Sequence, residues 1–374
     1  MSTHLAGLGW VTPLGSDLLG VWEKLRAGES APVSSLGKSW NATEAVAMRV
    51  PAEAIAEAAR QPRLRRSSAI SRFAVVAGQA ALRDAEVTLD PVAVARTALV
   101  FAISNGGVIY TRRFFHEIVE KGAQAASPLL FPETVFNAPA SHLAAILGIA
   151  GATYTLVGDG AVGLLALQMA EDLLANPELD RVLVVGAEEA DELLADAYRK
   201  WRLLRASPPL EPFARPARGL ILSEGAGAVL VAREGPVEIE RIHPGGNFAR
   251  QRELVRELDG IGRELAAEGP ADLFVASANG TFIDAVEQRV AADHFPGAAL
   301  YTPKPAMGES VAAGGIWQVI CAALALRRQE LPPVLGATAD FRPTAAPQPW
   351  SRAIVTTCGL NQQVAALALS SRAE

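Results

Sequence analysis

Six apolar runs punctuate the chain, each closing on small residues: Thr97–Gly106, Tyr154–Gly160, Arg181–Glu188, Gly225–Val231, Leu273–Gly280 and Ala353–Gly359. None alternates polar with apolar positions, and unbroken Val/Ile/Leu runs mark strands buried on both faces. Between them the period becomes helical. Ser16 or Asp17 is placed to cap a helix that puts Leu18, Val21, Trp22 and Leu25 on one face and stops at Gly28. Ser71 is expected to cap a second helix, carrying Phe73, Val76, Ala80 and Ala81. Ala161–Ala175 is apolar around most of its circumference, which predicts a buried central helix.

Strands and helices interleave with no linker-like stretch, so layered α/β packing is expected. Residues 206–216 read as a Pro-rich loop. Strand, small-residue turn and apolar helix follow one another around 154–175 and again around 300–327, a hint of two halves. The longest apolar stretch, Val311–Leu326, carries Gln318 and ends in Arg327-Arg328. At about 16 residues it falls short of the roughly 20 that a membrane span needs.

Composition narrows the functional classes. The 374 residues suffice for two or three domains, or one doubled one. Half are hydrophobic and a fifth charged, which does not fit a disordered chain. A net charge of −6 argues against broad nucleic-acid binding. Cys321 and Cys358, the two cysteines, make neither a disulfide framework nor a four-thiolate zinc site. Met1–Gly9 has no basic segment followed by a long apolar one, so no secretory signal is visible and a cytoplasmic location is expected.

Four ordered landmarks carry a resemblance. Gly7–Gly15 (GLGWVTPLG), Phe131–His142 (FPETVFNAPASH), Pro212–Gly227 (PFARPARGLILSEGAG) and Lys304–Gly315 (KPAMGESVAAGG) span most of the chain. Together they resemble the β-ketoacyl-acyl carrier protein synthases, the condensing enzymes of the thiolase-like fold. The resemblance implies an α/β fold of two pseudo-symmetric βαβαβαββ halves in a five-layer α-β-α-β-α arrangement. The halves are expected at 1–232 and 233–374.

The departures fall at the positions that do the family's chemistry. The family nucleophile is a cysteine heading the central helix, where free N–H groups favour a thiolate and an oxyanion. The matching string, Thr155–Gly163 (TLVGDGAVG), puts Gly160 there, and glycine forms no acyl-enzyme. The first family histidine sits in an HGT motif; Ala278–Thr281 (ANGT) places Asn279 at that position, which cannot titrate. The second follows the glycine of KxxxGH; here Lys304 to Gly308 is followed by Glu309. An ionised Glu309 offers acceptors where the reaction needs donors, the wrong sign for an enolate-like oxygen.

Other matched positions have two readings each. Asp159 is either the cap of the central helix or a replacement nucleophile or base. Asn279 with Glu309 is either a polar remnant or a new acid/base site. Lys304 and Glu224 match charged positions that brace the site loops in the family, and Asp284 and Glu287 remain recognisable after the ANGT string. His142 matches a packing position, and Cys358 in Thr356–Gln363 reads as a buried thiol in a degenerate gating loop. Tyr110, Phe114 and Phe115, with Phe131, fall where dimeric members meet: they either plug a partner's tunnel or fill an interface core. Arg60, Arg63, Arg65 and Arg66 form either a carrier-protein contact or plain solvated surface.

Three functions are compatible with this pattern. The first is a non-condensing homologue, similar to a chain-length factor, that pairs with an active ketosynthase and shapes its acyl tunnel. Type II polyketide, aryl polyene or fatty-acid-like biosynthesis would be the setting. The second is a thioester-processing enzyme repurposed around Asp159, Asn279 and Glu309. The third is a homodimeric acyl-binding scaffold. The resemblance implies an acyl carrier protein with a phosphopantetheine-linked chain as a further partner. No cofactor, metal, nucleic acid or membrane span is expected.

Overall fold

The computed structural model describes residues 2–38, 44–205, 207–337, 348–360 and 363–371. Its strands are β1 (Thr3–Val11), β2 (Val33–Lys38), β3 (Glu44–Met48), β4 (Thr97–Ile103), β5 (Thr153–Val157), β6 (Arg181–Glu188), β7 (Leu222–Ser223), β8 (Gly225–Ala232), β9 (Val237–Asn247), β10 (Leu273–Val275), β11 (Ala299–Tyr301), β12 (Arg352–Cys358) and β13 (Gln363–Ser370). The longer helices are α1 (Leu18–Arg26), α2 (Ala69–Asp84), α3 (Val108–Lys121), α4 (Ala138–Leu147), α5 (Val162–Leu174), α6 (Glu192–Lys200), α7 (Gln251–Ala266), α8 (Ile283–His294) and α9 (Val311–Arg328).

Ten strands hydrogen-bond in the order β11-β10-β12-β13-β9-β1-β8-β6-β4-β5. From the centre outward the two wings repeat one plan, β1-β8-β6-β4-β5 and β9-β13-β12-β10-β11. In each, an inner strand has parallel neighbours on both sides: β4 between β5 and β6, and β10 between β11 and β12. Strand to strand, among the described residues, the wings pair where Thr3–Leu5 meets Val237–Ile239. We propose the boundary between the halves at 232/233, which falls between β8 and β9.

Side-chain alternation explains the unbroken apolar runs. In β6, Val182 and Val184 face one core while Leu183, Val185 and Ala187 face another. In β13, Leu367 and Leu369 face the first core, and Ala366 and Ala368 a third. The shared central core holds α5 and α9 between the wings, with α2 and α4 outside one wing and α7 and α8 outside the other. Every residue from Val311 to Leu326 in α9 is buried, as a helix apolar all round must be. This is the one helix among the described residues long and apolar enough to cross a membrane, and it lies inside the fold. It comes close to the sheet because glycine faces it: a Cβ on Gly186 would stand 2.4 Å from the Ala312 carbonyl oxygen.

Three expectations need correction. The second helix is capped by Ser68, not Ser71: Ser68 Oγ accepts the Ser71 N–H, and the Glu133 carboxylate accepts the Ser68 N–H, so the helix starts a turn earlier. The run Leu273–Gly280 is strand only to Val275 before turning into the site loop. β5 is not buried on both faces: it is the outer edge of its wing, with Tyr154 43 % and Val157 53 % exposed.

Candidate functional site

Loops leaving β5, β10, β11 and β12 converge at one end of the central helices. A Cβ on Gly160 would lie 3.1 Å from Gly359 Cα and 3.2 Å from the Cys358 carbonyl, while one on Gly315 of α9 would lie 3.4 Å from the Gly160 carbonyl. Gly160 is therefore wedged between the loop after β12 and the first turns of α9.

Asp159 is not the cap of the central helix, which corrects the capping expectation. Helix α5 starts at Val162 with Ala161 as N-cap, and no side chain caps it. Asp159 instead donates its N–H to Gln363 Oε1 at 3.1 Å, and its carboxylate lies over Gly359, where any Cβ would fall 1.8 Å from Asp159 Oδ2. Asn361 and Gln362 of the expected gating loop lie outside the described residues, as does Ala206 of the Pro-rich loop.

Asn279, Glu309 and Lys304 come together. Asn279 Nδ2 and Lys304 Nζ each donate to Glu309 Oε2 at 2.6 Å, and Asn279 Oδ1 accepts the Thr281 hydroxyl at 2.6 Å. All three are buried. Gly308, at φ +77°, makes the turn that lets Glu309 bond through its backbone to Ile221 and Ser223. The ammonium offsets the buried carboxylate, the condition under which a charge is tolerated inside a protein. Asp284 accepts the N–H groups of Phe213, Asn279 and Gly280, which ties the loop after β10 to the segment before β7. Burial pushes its carboxyl up, against those three donors. Glu224 pairs with Arg49 at 3.2 Å and accepts the Val50 N–H; it lies apart from the Glu309 set.

Three carboxyls stand out electrostatically, among them Glu189, which burial pushes up to about 7. Glu287 accepts from Ser277 N–H, Ser277 Oγ and Thr356 Oγ1, and burial pushes it up to about 7. Glu188, at the end of β6, accepts the Ser104 and Asn105 N–H groups and is pushed up by burial to about 8. Sequence reasoning gave Glu188 no role; a glutamate closing an apolar run is the only signal it leaves. Cys358 is buried, and burial pushes its thiol well above the ordinary range.

Beside Asp159 opens a cavity of about 630 Å³, whose wall includes Asn105, Asp159, Asp191, Tyr198, Trp201 and Gln363. Asn279, Glu309 and Lys304 do not line it. No histidine reaches the site: His4 is in β1, His116 in α3, His142 in α4, His243 in β9 and His294 in α8. His142 bonds Glu133 at 2.7 Å rather than simply packing. Among the described residues no group of three or more His, Cys, Asp or Glu side chains could hold a metal ion.

The aromatic residues lie on the outside. Phe114 stacks edge-on against Phe115 and tilts against Phe131, with ring centroids 6.0 and 5.8 Å apart. Phe115 is 58 % and Phe131 57 % exposed. Tyr110 turns the other way and donates its hydroxyl to the Ser67 carbonyl. It lines a second cavity of about 410 Å³ with Arg65, Arg66, Arg72 and Arg113; Arg60 and Arg63 do not line it.

Comparison with known proteins places this geometry. The family described as "Beta-ketoacyl synthase, N-terminal domain" matches residues 4–235. Nodulation protein E of Rhizobium sp. (strain N33) is 24 % identical over 375 residues, covering 90 % of this chain and 88 % of that protein. The 3-oxoacyl-[acyl-carrier-protein] synthase 2 of Coxiella burnetii (strain RSA 493 / Nine Mile phase I) is 22 % identical, covering 91 % of each. Among solved structures, the ishigamide ketosynthase/chain length factor superposes with a TM-score of 0.86 at 17 % identity, covering 100 % of this chain and 99 % of that one. A β-ketoacyl synthase from Burkholderia phymatum STM815 gives 0.83 at 18 %, covering 100 % of both. The architecture is the thiolase-like fold of ketosynthases, and the chain belongs to the β-ketoacyl synthase family.

Proposed function

We propose that this member of the family does not condense, and that it pairs with an active ketosynthase whose acyl tunnel it helps to shape. One observation carries the reading: the expected nucleophile position is a glycine, and the two expected donor positions form a closed amide–carboxylate–ammonium set. Decarboxylative condensation needs a thiolate and two hydrogen-bond donors aimed at one oxygen. Glu309 Oε2 already takes the donors of Asn279 and Lys304. A thioester-processing site on Asp159, Asn279 and Glu309 has less support, since only Asp159 lines the cavity.

The exposed apolar surface supports a partner. Eight of the eleven exposed large hydrophobic residues among those described fall between Phe115 and Val157, on α3, the segment after it and the β5 edge. Concentrated exposure of this kind marks an interface. The arginine-lined cavity beside Tyr110 suits an acidic carrier protein bearing a phosphopantetheine arm.

Co-expression with ketosynthases that keep the cysteine and both histidines tests the pairing. The expected result is a stable heterodimer, with no condensation of malonyl- and acyl-carrier thioesters by this chain alone. Condensation by the isolated chain, or strict self-association with no effect on any partner's product length, overturns it. A self-paired acyl-binding scaffold is the second reading, since the exposed apolar face would serve a second copy of this chain as well, and native mass spectrometry for a retained lipid separates the two.

A further inference from the structure

The cavity beside Asp159 is bordered mainly by polar groups that carry no charge. Ser104, Tyr198, Asn247 and Gln363 line it, and none of its lining residues among those described is Lys, Arg or His. Two hydroxyl and two carboxamide side chains thus border about 630 Å³, a volume fit for a small molecule.

The hydrogen-bonding capacity of these groups is largely unused. Tyr198 is 5 % exposed, yet its hydroxyl has no hydrogen-bond partner among the described residues, and a buried phenol ordinarily has one. The Ser104 hydroxyl and the Asn247 carboxamide have none either, while Gln363 gives Oε1 to the Asp159 N–H and leaves Nε2 without an acceptor. Asp191, also in the wall, is 4 % exposed; its Oδ1 accepts the N–H groups of Leu193 and Leu194, and its Oδ2 has no partner. Burial pushes this carboxyl up, toward its uncharged form. The aromatic side of the wall is Tyr198 and Trp201, a helical turn apart at the end of α6. Their ring centroids are 6.0 Å apart, and Trp201 is 53 % exposed. An open ring beside unfilled hydroxyls and amides suits a ligand with an apolar face and a polar edge.

We infer that the cavity takes an uncharged, polyhydroxylated ligand of sugar size, its C–H face laid on Trp201 and its hydroxyls bonded to Tyr198, Ser104 and the Asn247 and Gln363 amides. A hydroxyl both donates and accepts, so it satisfies a phenol, an amide or a carboxyl in either protonation state. A plain hydrocarbon would leave each of them unpaired, and an anion would meet no cation in this wall. The assignment concerns this chain's own cavity and goes beyond the pairing proposal, which can fail without touching it.

Ligand-observed NMR titration of the full chain with methyl β-glucoside, cyclohexanol and cyclohexanecarboxylate, three probes built on a six-membered ring, tests it. The glucoside is expected to bind about threefold or more tighter than cyclohexanol, with the carboxylate weakest. Apolar burial alone would put cyclohexanol ahead. Tyr198→Phe removes a hydroxyl and keeps the ring; it should weaken the glucoside about threefold or more and leave cyclohexanol unchanged. Trp201→Leu removes an exposed ring and should weaken the glucoside by about the same factor. Thermal melting checks that both variants are folded. The inference is overturned by cyclohexanol binding as tightly as the glucoside, by the carboxylate ahead of both as in an acyl pocket, or by a glucoside affinity unmoved in Tyr198→Phe. No saturation by the glucoside at about 50 mM, as for a cavity holding water alone, overturns it too.

Discussion

Restoring a thiol at position 160 should not restore the reaction. A Cys Cβ there would sit 3.1 Å from Gly359 Cα, tight but tolerable, and the expected donor positions hold a closed Glu309–Lys304 pair instead of two imidazoles. The expected outcome for Gly160→Cys is alkylation by iodoacetamide, seen by mass spectrometry, with condensation at background. Measurable product from the isolated variant would contradict the non-condensing proposal. The buried carboxyl of Glu287 makes a separate prediction. It titrates near 7 in the folded chain, above its ordinary value of 4.5, so the native state keeps a proton that the unfolded chain releases. The stability it contributes is complete below about pH 4.5 and is lost as pH rises toward about 7, at up to about 1.4 kcal/mol per unit. Glu188 extends the same trend toward about 8. Urea unfolding across that range should show the fall, and Glu287→Gln should flatten it; coincident slopes would remove Glu287 as a source. That Asn279 and Glu309 lie together was legible in the sequence, because the ANGT and KPAMGE strings put both at one site. Glu188 was not, because the N–H groups it accepts come from Ser104 and Asn105, far off in the chain.

Strand and helix periods were read well wherever one element supplies its own evidence. β6 matches its apolar run residue for residue, and α9 is buried as its all-round apolarity requires. Among helix starts, the Asp17 cap of α1 was read correctly and the caps of α2 and α5 were not. Ser68 rather than Ser71 caps α2 because Glu133 holds its N–H, and Asp159 is drawn from α5 to Gln363. A cap depends on tertiary partners that spacing does not reveal. The close approach of α9 to β6 gives a test at this scale. Gly186→Ala would drive a Cβ to 2.4 Å from the Ala312 carbonyl, backbone against backbone, so neither side can yield cheaply. A loss of about 3 kcal/mol is expected from overpacking, read as a drop in the denaturant midpoint. A loss below about 1 kcal/mol would mean that α9 shifts freely.

The doubled architecture was legible from two echoes of one strand–turn–helix pattern, and its strand order repeats wing for wing. What the sequence hid was the outer face. An apolar run like Tyr154–Gly160 reads the same whether a second layer covers it or another molecule does. If the face around Phe115 meets a partner, Phe115→Asp should leave the chain folded, since the ring is 58 % exposed, and weaken association by about tenfold or more. Analytical ultracentrifugation gives the comparison; unchanged association would move the interface elsewhere. The edge strand β5 has a further consequence, for dosage. A row of backbone donors and acceptors with no neighbour pairs as readily with a wrong strand as with the right one. If a partner subunit covers β5, a cell making this chain in excess of it would accumulate sticky monomers, and matched synthesis of the two would be a condition of solubility.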